Sequence, residues 1–173
     1  RWHQFGAFVP LFRTHGQFPY RELWNIAPET HPAYKTMLYY TQLRYRLMPY
    51  IYSMAGKCYF DDYTMMRGLV MDFPKDKNVL NIGDQYMFGS GLMICPVYEQ
   101  NVSGRYVYLP EDMTFVKLSG ENAETKPMEK GVHFIEVALN EVPLFIKKGK
   151  QIPLCKPAMR TSELNTEDLT YIG

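Results

Sequence analysis

The chain has 173 residues, of which 46% are hydrophobic and 21% are charged, and these fractions are typical of a folded globular protein rather than a disordered one. The net charge of +1, with no Lys/Arg cluster longer than the short stretch at 146–150, argues against binding to nucleic acid or to an anionic membrane surface. No apolar run approaches the roughly 18 residues of a membrane-spanning helix.

The first predicted elements are a short helix followed by a strand. Four residues near the start recur at the spacing of one helical face: Trp2, Phe5, Gly6 and Val9. Pro10 closes this pattern. Residues 11–16, LFRTHG, then predict a strand in which Arg13 and His15 share one face, because side chains alternate along an extended backbone.

A longer helical pattern runs from about Pro32 to Tyr59. Thr30 is the candidate residue for its N-cap. Pro49 lies inside the pattern and has no N–H group to donate to the carbonyl of Tyr45. The sequence therefore predicts a kink or a break in this helix.

From residue 63 the hydrophobic period changes to two. Short β-rich runs separated by Pro, Gly, Asn and Asp favour an antiparallel β-sandwich over residues 63–155. Residues 1–62 form the preceding helical part, and residues 156–173 are predicted to be a linker or the start of a distal β domain. The fold class is therefore α+β.

The order helix, strand, loop, long helix over residues 1–62 is typical of the last β/α unit of a (β/α)8 barrel. In that fold the chemistry gathers at the carboxyl ends of the strands, which is where His15 would lie. A structural histidine that is satisfied within a turn is the alternative interpretation.

Three cysteines, Cys58, Cys95 and Cys155, are isolated from one another in the sequence. Their spacing fits neither a metal site nor a disulfide framework, and it indicates buried thiols in a reducing compartment. We therefore expect a cytoplasmic protein without a metal site. The Asn101-Val102-Ser103 glycosylation sequon would matter only if the protein were secreted.

Several stretches carry a resemblance to a known family, and they occur in the family's order: RWHQFGAFVPLFRTHG, RELW, LRYRLMPYIY, MRGLVMDFP, DQYMFG, LMICPVYE, RYVYLP and PLFIKKGKQIPL. Over about residues 1–155 the chain resembles the carboxyl-terminal half of glycoside hydrolase family 31, the retaining α-glucosidases and α-xylosidases. The resemblance implies the end of a (β/α)8 barrel followed by β-sandwich domains. The sequence around FRTHG and RELWNI is more similar to the α-xylosidase branch of the family.

The resemblance also implies roles for individual residues. His15 ends the eighth barrel strand and binds hydroxyls of the sugar in the −1 subsite. Arg13 either holds a site carboxylate or belongs to a structural ion pair. Phe18 and Trp24, in the loop that follows, are the candidates for edging the substrate subsite.

Retaining glycosidases need two carboxyl groups about 5 to 5.5 Å apart. The resemblance places both aspartates on earlier barrel strands, upstream of Arg1. Asp61 and Asp62 are a poor substitute pair because adjacent side chains point apart in regular structure. We therefore expect no catalytic residue in this chain, no cofactor, and no hydrolysis by the 173-residue chain alone.

Two other interpretations remain open for the β-rich residues. A carbohydrate-binding module would present a flat aromatic platform, drawn from a set of five rings: Tyr86, Phe88, Tyr106, Tyr108 and Phe134. A purely structural sandwich would instead brace the barrel. The expected partners are an oligosaccharide or glycoside substrate and the remainder of the barrel, with self-association through an exposed strand edge as a further expectation.

Overall fold

The computed structural model describes residues 1–120 and 122–173. Helices dominate the first 60 residues and strands dominate the rest, as the change of period predicts. The helices are α1 Trp2–Gly6, α2 Leu23–Ile26, α3 Pro32–Arg46, α4 Met48–Phe60 and α5 Leu69–Asp72, with 3-10 turns at Lys77–Val79 and Thr161–Glu163. The strands are β1 Met66–Gly68, β2 Tyr86–Phe88, β3 Leu92–Ile94, β4 Gly104–Leu109, β5 Met113–Ser119, β6 Asn122–Met128, β7 Gly131–Glu136, β8 Leu144–Lys147, β9 Ile152–Leu154 and β10 Thr170–Ile172.

The strands form one large sheet and two small ones. Six strands pair in the order β1-β2-β3-β8-β5-β6, and every described pairing is antiparallel. Strands β4 and β7 form a separate two-stranded ribbon, in which Tyr106 lies opposite Phe134. The structure thus combines helices with antiparallel sheets, in agreement with the α+β prediction. We call residues 1–62 the helical part and residues 63–155 the β-rich part.

The central strands of the six-stranded sheet are covered on both faces, which explains why β2, β3 and β8 are almost continuously apolar. One face packs against α3 and α4, and its buried residues include Phe88, Ile94 and Ile146. The other face packs against the β4–β7 ribbon, with Met93 and Phe145 in that second cluster. The first core is therefore shared between the helical part and the β-rich part.

The long predicted helix is broken where Pro49 indicates. Helix α3 ends at Arg46 and α4 begins at Met48, with Leu47 between them. The carbonyl of Tyr45, which Pro49 cannot serve, accepts a hydrogen bond from the Cys155 thiol at 3.4 Å. The backbone N–H of Cys155 also donates to the carbonyl of Arg46 at 2.9 Å. Cys155 thus satisfies both carbonyls at the break.

The cap of α3 differs from the prediction. The N-cap residue is His31 rather than Thr30, and its Nδ1 accepts a hydrogen bond from the N–H of Ala33 at 3.1 Å. An imidazole nitrogen with a free lone pair can satisfy an orphan donor of the first turn just as a hydroxyl can. Pro32 follows at the first helical position, where its missing N–H costs nothing.

The predicted strand over residues 11–16 does not form. These residues carry no regular secondary structure, and none of the described strands pairs with them. A strand is stabilised by hydrogen bonds to a neighbouring strand, and the described residues supply no neighbour here. Helix α1 is confirmed but ends at Gly6, so that Val9 lies in the turn beyond it.

Side chains of the helical part hold one loop of the β-rich part. Arg1 donates to the carbonyl of Glu141 at 2.6 Å, and Gln4 donates to that of Leu139 at 2.8 Å. The hydroxyl of Tyr40 donates to the carbonyl of Asn140 at 3.1 Å. Three consecutive carbonyls between β7 and β8 are therefore bound by α1, its N-cap residue and α3.

The last residues return to the β-rich part. Strand β10 pairs with β9, so that Thr170 lies opposite Leu154 and Ile172 opposite Ile152. Among the described residues, none of the helices has the length and hydropathy needed to span a bilayer.

Candidate functional site

The four predicted site residues all lie in one exposed stretch, residues 11–26, which we call the site segment. It lies between α1 and α3 in the chain and contains the single turn of α2. Its large apolar side chains are mostly exposed to solvent: Leu11, Phe18, Tyr20, Trp24 and Ile26. A run of exposed large side chains of this kind marks an interaction surface.

Arg13 and His15 are in direct contact. Arg13 Nη2 lies 3.0 Å from His15 Nδ1, and both side chains are exposed. A guanidinium has donors and no acceptor, so Nδ1 must be the nitrogen that accepts this bond. This hydrogen bond requires the tautomer that carries its proton on Nε2. This arrangement leaves an N–H donor at the free end of the ring, which suits an oxygen acceptor such as a hydroxyl.

The loop after His15 turns back tightly at Gly16. A Cβ atom at this position would lie 2.8 Å from the carbonyl oxygen of Pro19 and 2.8 Å from Cγ of Arg21, so that only glycine fits. Phe18, inside this turn, is 88% exposed, and Trp24, on α2, is 66% exposed. Within the described residues neither ring forms an aromatic pair with the other or with His15.

Three aspartates of the β-rich part are engaged in structural contacts. Asp72 accepts from Arg67 at 2.8 Å, and Asp84 accepts from Arg105 at 2.6 Å. Asp76 accepts from the Tyr108 hydroxyl and from Lys130, and these hydrogen bonds lower the pKa of its carboxyl to about 2.

Nearer the site, Glu22 accepts a hydrogen bond from the amide of Asn25 at 2.9 Å. Arg13 has no carboxylate within ion-pair distance among residues 1–120 and 122–173, so its predicted partner is not within this part of the chain.

The aromatic platform predicted for a carbohydrate-binding module is wrong for two of its rings. Tyr86 and Phe88 are 7% and 0% exposed, because they point into the core shared with α3 and α4. Tyr108 is half-buried and bonded to Asp76. Tyr106 and Phe134 are exposed, but their rings meet edge to face at an interplanar angle of 66°, which does not make a flat surface.

Arg44, which the sequence patterns do not single out, contacts the backbone leading into the site segment. Its guanidinium donates to the carbonyls of Ala7, Val9 and Pro10. Burial lowers the pKa of this guanidinium. A charged residue beside Leu43, on the helix face that carries the core, was the signal available in the sequence.

A groove of about 350 Å³ lies elsewhere, between α1 and the loops around β2 and β3. It is lined by aromatic, apolar and charged side chains that include Trp2, Phe5, Asp84, Tyr86 and Tyr98. His15 is not among its lining residues.

The described residues contain no group of three His, Cys, Asp or Glu side chains arranged to hold a metal ion. The three cysteines are free thiols, of which Cys95 and Cys155 are buried and Cys58 is half-buried. Burial raises the pKa of the Cys95 thiol to about 12, so this thiol stays protonated and unreactive near neutral pH.

Comparison with known proteins identifies both parts of the chain. Residues 62–152 match the glycosyl hydrolase family 31 C-terminal domain, and residues 1–54 match the TIM-barrel domain of the same family. An α-xylosidase of Saccharolobus solfataricus is 37% identical over 94% of this chain and 22% of its own length. The neutral α-glucosidase AB of Mus musculus is 29% identical over 97% of this chain and 18% of its own length.

The crystal structure of a family 31 α-xylosidase from Xanthomonas citri is similar over 98% of this chain, with a TM-score of 0.82 and 42% identity. The chain covers 18% of that structure, so it spans about a fifth of the length of the proteins it matches. Since a family model matches more than half of its residues, the chain belongs to glycoside hydrolase family 31.

Proposed function

We propose that this chain is the carboxyl-terminal part of a retaining α-glycosidase that hydrolyses terminal non-reducing α-xylosides or α-glucosides. In this proposal residues 1–62 supply the last β/α unit of the catalytic (β/α)8 barrel, and residues 63–155 form the β-sandwich that follows it. Residues 156–173 are, in this proposal, a linker or the start of a distal β domain. Family membership and the similarity to an α-xylosidase and an α-glucosidase support the assignment.

The observation that carries the proposal is the Arg13–His15 contact on the exposed site segment. Because Arg13 occupies Nδ1, His15 offers its Nε2–H to a sugar hydroxyl in the −1 subsite. Such a hydroxyl contact tightens as the sugar ring flattens toward the oxocarbenium-like transition state. It therefore stabilises the transition state more than the bound substrate and lowers the activation barrier of hydrolysis.

The neighbouring residues complete this surface. Arg13 keeps the ring of His15 in one tautomer and orientation, and its remaining donors are free to meet a carboxylate of the barrel. Phe18 and Trp24 edge the subsite and offer apolar ring faces to the sugar.

The two catalytic carboxyl groups are assigned to earlier strands of the complete protein. The engaged state of Asp72, Asp76 and Asp84 supports this assignment, because each already accepts a hydrogen bond from a cationic side chain of the β-rich part. The β-rich part acts as a structural brace, and the hydrogen bonds from Arg1, Gln4 and Tyr40 to residues 139–141 support that role.

Location and assembly follow as parts of the same proposal. The three free thiols favour a cytoplasmic protein. The exposed side chains of the site segment are assigned to contact with the remainder of the barrel, and self-association is the outcome when that remainder is missing.

The test uses the complete protein that contains these residues, assayed on aryl α-xylosides and aryl α-glucosides. His15→Ala is expected to lower kcat/KM by about a hundredfold, the usual effect of removing one donor that stabilises the transition state. Thr14→Ala is the matched control, because Thr14 is the exposed neighbour in the chain and should leave kcat/KM within about twofold.

An unchanged kcat/KM in His15→Ala would contradict the assignment of the sugar-binding residue. Hydrolysis of an aryl α-glycoside by the purified 173-residue chain would contradict the assignment of the carboxylates to the rest of the protein. The ratio of kcat/KM on xyloside and glucoside decides between the two sugars, which differ by one hydroxymethyl group.

A further inference from the structure

The backbone that leaves α1 is held by side chains at four consecutive carbonyls. Arg44 donates to the carbonyl oxygens of Ala7, Val9 and Pro10 at 3.0, 2.5 and 2.9 Å. The hydroxyl of Tyr86 donates to the remaining one, that of Phe8, at 2.8 Å. These four carbonyls lie beyond Gly6, the last residue of α1, and one guanidinium and one hydroxyl supply a donor to each of them.

Arg44 is an unusual residue for this task because it is 8% exposed. None of the ion pairs among the described residues includes it, so its charge is compensated by the three carbonyl dipoles. The donors of a guanidinium are spread over a planar fork, and here Nη1 serves Ala7 and Val9 while Nη2 serves Pro10. A lysine ammonium has its three donors on a single nitrogen and cannot reproduce this spread. The geometry of residues 7–10 therefore depends on an arginine at this position.

Pro10 lies three residues before Arg13 and five before His15. Residues 11–16 form no ladder with any of the described strands, so Pro10 is the last backbone position before His15 at which a carbonyl is held by Arg44. Because Arg44 fixes the carbonyl of Pro10, it also constrains the direction in which residues 11–15 leave Pro10.

We propose that Arg44 is a positioning residue for His15, which acts by fixing the carbonyls of Ala7, Val9 and Pro10 without touching the sugar. This inference rests on the proposed function, because it requires His15 to bind the substrate. It adds a residue of the barrel's last helix to the machinery of the −1 subsite.

Arg46 provides a matched control on the same helix. It is 7% exposed, and its guanidinium donates at 2.5 Å to the carbonyl of Gly120, at the turn after β5. Both arginines are thus buried and bonded to backbone carbonyls. They differ in direction, since Arg44 holds the route to the site segment and Arg46 holds the β-rich part.

The experiment compares Arg44→Lys, Arg46→Lys, His15→Ala and the double variant Arg44→Lys/His15→Ala in the complete protein. We expect Arg44→Lys to lower kcat/KM on an aryl α-glycoside by ten- to a hundredfold, since misplacing a reacting group by about 1 Å has effects of that size. Arg46→Lys should lower kcat/KM by less than about threefold at a similar loss of thermal stability. In the His15→Ala background, Arg44→Lys should have little further effect, because its route of action is already removed.

Two results would overturn the inference while leaving the proposed function intact. The first is an equal loss of kcat/KM in the two lysine variants, in proportion to their loss of thermal stability, which is the signature of a general structural role. The second is a double variant whose fold-loss of kcat/KM equals the product of the losses in Arg44→Lys and His15→Ala, which would mean that Arg44 does not act through His15. An unaffected His15→Ala enzyme would overturn both the proposed function and this inference.

A second variant keeps the inference testable if Arg44→Lys does not fold. Tyr86→Phe removes the hydroxyl that holds Phe8 and preserves the ring in its core. It should lower kcat/KM by several-fold in the wild-type background and not in His15→Ala. Equal losses in the two backgrounds would count against positioning through this backbone.

Discussion

The β-rich part and the site segment differ in whether their apolar side chains are covered by other residues of this chain. Strands β2, β3 and β8 are buried by side chains of this same chain, from α3 and α4 on one face and from the β4–β7 ribbon on the other. The site segment, residues 11–26, leaves its large apolar side chains exposed and has no strand partner among the described residues. One region therefore determines stability, and the other carries surface that is available for binding.

This difference separates the effects of substitutions. A change in the sheet should alter folding and leave the chemistry of the site segment untouched until the protein unfolds. A change in the site segment should do the reverse. Residues 7–10 form the joint between the two regions, and a substitution that affects them should change both the free energy of unfolding and kcat/KM.

The largest expected effect compares the same substitution in the two regions. Phe145→Ala, at a fully buried position of β8 where the ring packs 5.3 Å from that of Phe115, should lower the free energy of unfolding by about 3–5 kcal/mol. Phe18→Ala, at an 88% exposed position, should change it by no more than about 0.5 kcal/mol. Denaturant unfolding of the 173-residue chain measures both, and similar losses would break the comparison.

The second effect tests the joint. Tyr86→Phe leaves the carbonyl of Phe8 without its buried donor and should cost about 1–3 kcal/mol of unfolding free energy. Tyr106→Phe removes a hydroxyl from a 70% exposed ring and should be close to neutral. A neutral Tyr86→Phe would show that the two regions are joined by apolar packing alone.

The smallest effect is a pH dependence that distinguishes the regions. Burial lowers the pKa of His3, in the helical part, below 6.5, although its hydrogen bond with the carbonyl of Met37 partly offsets this. The unfolded chain then binds the proton more readily, so this stability is complete above pH 6.5 and is lost as the pH falls through the folded pKa. Asp76, in the β-rich part, has a pKa lowered to about 2, and its contribution is lost only below pH 3.8.

Unfolding midpoints in urea at pH 7.5, 5.5 and 4.5 check this dependence. The wild-type midpoint should fall between the first two values, and His3→Gln should flatten that fall. If the midpoint of His3→Gln fell with pH as steeply as that of the wild type, protonation of His3 would not be the cause of the fall.

The sequence predicts most strongly the features that depend on local chemistry. Pro49 breaks its helix wherever the chain is packed, because the missing N–H is a property of the residue. The period of two likewise predicts a strand such as β7, which has one solvent-facing side, whereas β2, β3 and β8 are buried on both sides and are almost continuously apolar. The proximity of Arg13 and His15 follows from their spacing of two residues, even though no strand forms.

The sequence predicts poorly the features that depend on distant partners. Residues 11–16 have the pattern of a strand, but a ladder also needs a neighbour, and that neighbour is not encoded in these residues. Tyr86 and Phe88 are aromatic residues of the kind that form a sugar platform, but helices distant in the sequence bury them. Tyr50 of α4, for example, donates to the carbonyl of Phe88 from 38 residues earlier in the chain. Arg44 was missed for the same reason, since its three acceptors lie more than 30 residues earlier in the chain.

The core shared by α3, α4 and the six-stranded sheet sets a limit on how this protein can be divided. A cut at residue 62 would uncover the face that contains Phe88, Ile94 and Ile146, and would also remove Arg1, Gln4 and Tyr40 from the loop at 139–141. Gene fusions that exchange the β-rich part between related enzymes should therefore carry α3 and α4 with it. The unit of recombination begins at α3, within the residues that match the TIM-barrel domain of the family.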